Sequence, residues 1–118
     1  MKTKDNSVET KFNPVITALL FELNKAYIEW DAELVITSGS EHSARHGHTS
    51  LHYSDPCAAV DIRSWAVGRI PEAVTQVELL KQIAARFCND LEIPTNWIEI
   101  ILEASHIHIE YQPKRRDI

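Results

Sequence analysis

Trp97-Ile98-Glu99-Ile100-Ile101-Leu102-Glu103-Ala104-Ser105-His106-Ile107-His108-Ile109-Glu110-Tyr111 is the stretch on which the fold turns. Two runs rich in β-branched and aromatic residues, Trp97 to Leu102 and His106 to Tyr111, flank a short connection near Ala104 and Ser105. That is the pattern of two strands joined by a tight turn. Residues two apart in a strand share a face, so Ile107 and Ile109 point into a core while His106 and His108 point together out of it. A local hairpin also implies antiparallel pairing.

Upstream of the hairpin, Pro71 opens a helical pattern carried by Val74, Val77, Leu80, Ile83, Ala84 and Phe87 and ending around Asn89. Ala58 to Arg63 reads as a strand with Val60 and Ile62 on its apolar face and Ala59, Asp61 and Arg63 on the other. Glu33 to Thr37 reads as a buried strand that ends at Ser38-Gly39. Asn13 before Pro14 is a helix start, followed by Val15, Ile16, Leu19, Leu20, Leu23, Ala26 and Tyr27 at helical spacing up to about Trp30. The segment from Gly39 to about Pro56 is a polar, histidine-rich loop, and residues 1–12 read as a loose arm before one domain at 13–118. Mixed helices and strands with a local hairpin give an α+β class, with a mainly antiparallel sheet and two flanking helices.

Composition narrows the function classes. A chain of 118 residues, 44% hydrophobic and 25% charged, is sized for one folded domain with its own core. The net charge of −5 offers no field to gather nucleic acid, and the only basic run is Lys114-Arg115-Arg116. Two cysteines, Cys57 and Cys88, are too few for a disulfide framework, so reduced thiols are expected. The first apolar stretch begins at Val15 and is broken by Glu22, Lys25 and Glu29. It reads as neither a signal peptide nor a membrane span. The expectation is a protein without membrane or nucleic-acid partners, its oligomeric state left open with a monomer favoured, cytoplasmic as synthesised and reaching other compartments only if released.

All six histidines fall in two clusters, His42, His46, His48 and His52 in the first loop and His106 with His108 in the last strand. Each cluster alone has an ordinary reading: a solvated loop, or a hydrogen-bonded pair on a strand. Together with Asp61 they supply the ligand types of a catalytic zinc site, which takes three protein ligands from His, Asp or Glu and leaves a position for water.

Ser50-Leu51-His52-Tyr53, Ala59-Val60-Asp61-Ile62-Arg63 and Glu103-Ala104-Ser105-His106-Ile107-His108 resemble, in this order, the motifs of a known superfamily. It comprises the zinc D-alanyl-D-alanine carboxypeptidases and L-alanyl-D-glutamate endopeptidases, several phage endolysins and the Hedgehog signalling domain. The resemblance runs from about Val35 to Tyr111 and implies a Hedgehog/DD-peptidase-like fold, with His52, Asp61 and His108 as zinc ligands. It also implies Glu103 as the general base, with Glu99 and Glu110 as alternatives, and His106 as a partner of the ligands or a substrate contact. His46 resembles the loop histidine of Hedgehog-type and phage relatives, and Arg45 and His46 are the donors available to a developing oxyanion. The family spaces its histidine and aspartate more closely, whereas His52 and Asp61 stand nine positions apart. The intervening Ser54-Asp55-Pro56-Cys57 leaves Asp55 or Cys57 as substitute ligands, and Cys57 or Ala58 replaces the family's glycine.

The function this implies is a zinc peptidase acting on peptidoglycan stem peptides, a phage or prophage lysis enzyme by its small size. The alternative is a zinc-stabilised binding module of the same fold that has lost turnover. A two-histidine phosphoesterase would need a second His-x-Thr/Ser motif beside His48-Thr49-Ser50, and His106-Ile107-His108 does not supply it.

Overall fold

Asn13 caps the first helix with its own side chain, whose Oδ1 accepts the Val15 N–H at 2.8 Å, and Pro14 occupies the first helical position, where no N–H is needed. The computed structural model describes residues 1–41, 57–64, 72–104 and 106–113. In it α1 spans Pro14–Glu29 and buries Ile16, Leu19, Leu20, Leu23 and Tyr27 along one stripe. α2 spans Ala73–Asp90 and buries Val77, Leu80, Ala84 and Phe87. Pro71, the expected opening of this helix, lies outside the described residues, and Glu72 holds the N-cap position.

Both helices end in the same way. At α1 the Asp31 N–H donates to the Ile28 carbonyl and the Ala32 N–H to that of Tyr27; at α2 the Glu92 and Ile93 N–H groups donate to Asn89 and Cys88. These paired bonds are the Schellman closure, which needs one residue in the left-handed region. Asp31 at φ 55° and Glu92 at φ 57° occupy it, where glycine is the usual choice.

The strands are β1 (Lys2–Thr3), β2 (Val35–Ser38), β3 (Ala59–Arg63), β4 (Ile98–Leu102) and β5 (His106–Tyr111). They form one five-stranded sheet in the order β1-β2-β3-β5-β4. The sheet is mixed: β1 runs parallel to β2, while β2–β3, β3–β5 and β5–β4 are antiparallel. The hairpin expected from the sequence is the β4–β5 pair, with Trp97 drawn into a 3₁₀ turn, Thr95–Trp97, before it. Among the described residues the fold is therefore a small α+β architecture of two α-helices and a mixed sheet.

The amino-terminal segment differs from the loose arm expected. The Lys2 N–H donates to Leu34 O at 3.0 Å and the Lys4 N–H to Ile36 O at 2.9 Å, which adds β1 to the sheet. Farther on, Ser40 N–H donates to Glu9 O and Cys57 N–H to Lys11 O. All four bonds are main-chain bonds, so the side chains of Lys2, Thr3 and Lys4 leave no periodic trace of them. Gly39 belongs to the same arrangement: a Cβ there would overlap the Glu9 carbonyl oxygen and crowd the Phe12 ring.

The core lies between the helices and one sheet face. Ile36, Val60, Ile62, Ile107, Ile109 and Ile100 meet the buried stripes of α1 and α2 there. Ile107 and Ile109 are fully buried, which meets the strand-alternation expectation. The opposite face carries Asp61, His106, His108 and Glu110.

Candidate metal centre

Strand register decides which side chains become neighbours. Ser38 stands opposite Asp61, Asp61 opposite His108, and His108 opposite Ile101, so one row crosses β2, β3, β5 and β4. The adjoining rows place Arg63 opposite His106 and, on the other side, Ala59, Glu110 and Glu99 in line. The register of four strands, and not sequence proximity, gathers these groups.

At the centre, the His108 ring lies between two carboxylates. Its Nδ1 is 2.7 Å from Asp61 Oδ1 and its Nε2 is 3.2 Å from Glu110 Oε1. His106 is looser, with Nε2 3.7 Å from Asp61 Oδ2 and 3.8 Å from Glu103 Oε1. Asp61 thus turns one oxygen toward each histidine. It is only 7% exposed, although it faces away from the helices. A carboxylate this buried is retained only when hydrogen-bonded or paired. Glu103 is half-exposed at the rim, where the turn holds it through its own N–H donating to His106 O at 2.9 Å.

Asp61 and His108 bring a carboxylate and an imidazole into contact. A carboxylate oxygen and an imidazole nitrogen are two of the donor types that a zinc ion takes. Among the described residues no three such groups come together for one ion. The expected third ligand, His52, lies outside the described residues, as do Arg45 and His46, and so do Asp55, His42 and His48. Cys57, one of the substitute ligands, is buried, and its thiol donates to Ala59 O at 3.1 Å.

Sequence reasoning passed over Glu41. Its carboxylate accepts the Ser38 hydroxyl, the Gly39 N–H at 2.7 Å and the Glu9 N–H at 3.1 Å. Burial pushes this carboxyl up, but the Ser38 hydroxyl and the Gly39, Glu41 and Glu9 N–H groups outweigh burial and hold it below the usual carboxylate range. Glu41 thereby ties the end of β2, one row member away from Asp61, to the amino-terminal segment. The one signal for it was a Ser-x-x-Glu spacing, Ser38 to Glu41, which ordinarily marks a helix start.

Compared with known proteins, the chain matches no protein family, no curated protein and no solved structure.

Proposed function

We propose that the chain is a zinc-dependent peptidase that cleaves short peptides of the bacterial cell wall, of the Hedgehog/DD-peptidase type that its motifs resemble. The observation that supports this is the contact of Asp61 with His108, with His106 and Glu103 beside them on one sheet face. Two of the three motif blocks that resemble the family, far apart in sequence, supply adjacent side chains here.

In this reading His52, Asp61 and His108 would hold the ion, and Arg45 and His46 would be the donors to the developing oxyanion. A bound zinc ion would lower the pKa of a coordinated water to about 7. Glu103 takes the proton at its carboxylate and returns it to the leaving amine. Its rim position gives it room to move between water and substrate, while Asp61 is too buried for that task. His106, whose Nε2 lies near both Asp61 and Glu103, would act as a partner of the ligands or as a substrate contact.

The test is elemental analysis combined with turnover on wall peptides. The wild-type chain is expected to carry about one zinc per chain. His108→Ala and Asp61→Ala should lose it, whereas Asp55→Ala should not. Glu103→Gln keeps size and hydrogen bonding but removes the basic carboxylate. It should retain zinc while turnover falls on the order of a hundredfold. Full zinc occupancy in His108→Ala would overturn the ligand assignment. Zinc without turnover on any wall peptide would favour the binding module.

A further inference from the structure

The zinc reading gives no role to Glu110 beyond that of an alternative base, yet the structure places its carboxylate against the inner site and not at the rim. Its side chain is 16% exposed, and Oε1 lies 3.2 Å from His108 Nε2, the ring nitrogen opposite the one that meets Asp61. Strand register also sets Glu99 directly opposite Glu110. Like charges in that position repel, so a largely buried carboxylate at 110 is costly unless a donor in the site compensates it.

A neutral imidazole carries one proton, and the hydrogen bond made by one nitrogen decides which lone pair the other presents. We infer that Glu110 is a positioning residue: when an ion takes the place of the proton in the 2.7 Å contact between Asp61 and His108 Nδ1, Glu110 accepts the Nε2–H and so leaves Nδ1 as the metal-binding atom. Carboxylates that hold the far nitrogen of a ligating histidine fix its tautomer and raise its basicity. Glu110 is well placed for this because it shares β5 with His108 and projects from the same strand face. A strand holds that two-residue relation more rigidly than a loop does. The same contact removes Glu110 from the proton-transfer role and leaves that role to Glu103.

This inference rests on the zinc reading, and zinc affinity separates the two. Zinc would be titrated into the metal-free wild type, Glu110→Ala and Glu110→Gln in competition with a chromophoric chelator. Circular dichroism would establish that each metal-free chain is folded. Glu110→Ala is expected to bind zinc 10- to 100-fold more weakly, on the order seen when such outer partners are removed. Glu110→Gln, whose amide oxygen still accepts the Nε2–H, is expected to recover most of that loss. In the zinc-loaded wild type, nitrogen NMR of the His108 ring should show the proton on Nε2. Unchanged affinity in Glu110→Ala, beside a wild type that binds zinc, would overturn the positioning role and leave the zinc site standing. Equal losses in both variants would assign the effect to charge and overturn it as well. A wild type that takes up no zinc would overturn both readings.

Discussion

Two polar side chains, one buried and one partly exposed, carry pH dependence of opposite sign. Tyr27 is buried against the core, and Gln76 Nε2 donates to its hydroxyl. Burial pushes the phenol up to about 12, with the Gln76 bond pulling the other way. Because the folded state prefers the protonated phenol, this stability is complete below the ordinary tyrosine value of 10.0 and is lost as pH rises through about 12. In an absorbance titration Tyr27→Phe is expected to remove the late-ionising phenol and the base-induced loss of structure that accompanies it. Glu41 behaves in the reverse sense, since its folded value lies below the usual range. Its contribution is present above the unfolded carboxylate value and disappears as pH falls through the depressed folded one. Urea midpoints of wild type and Glu41→Gln should therefore differ at neutral pH and converge in acid.

At the scale of elements, the helices were readable and their closures were not. Asn13-Pro14 announced α1 because capping and the missing proline N–H act locally, within three residues. The Schellman closures at Asp31 and Glu92 were silent, because neither position carries the glycine that marks them in sequence. A Cβ in the left-handed region costs roughly 1–2 kcal/mol, less for aspartate, which hydrogen-bonds locally. Glu92→Gly should thus raise the melting temperature by a few degrees, and Asp31→Gly by less; calorimetry of the three chains checks the order. β1 was missed for another reason. Two polar residues held by main-chain bonds have no hydrophobic period, while β5 advertised itself through Ile107 and Ile109.

For the whole molecule, a polar face presented by a rigid sheet bears on the choice of substrate. The helices cover one side of the sheet, and Asp61, His106, His108 and Glu110 lie on the other, where under the proposed function a peptide would meet them without displacing the core. No helix among the described residues is long and apolar enough to cross a membrane. Under the proposed function a short wall peptide containing a D-residue should be cleaved, and an all-L protein such as casein should not. Release of soluble fragments from purified sacculi, read by mass spectrometry, checks this. Cleavage of casein with none of sacculi would remove the wall-enzyme reading.

The sequence by itself determined the helical stripes, the core faces of β3 and β5, the β4–β5 hairpin and the outward direction of His106 and His108. Each follows from a period or a cap that operates over a few neighbouring residues. Only the tertiary structure decided that Asp61 is buried and meets His108 Nδ1, that Glu110 takes the other side of that ring, and that Glu41 and β1 bind the amino-terminal segment to the sheet. Those contacts depend on which strands become neighbours and in what register. Asp61 and His108 are separated by 47 residues, and no local pattern encodes a pairing over that distance.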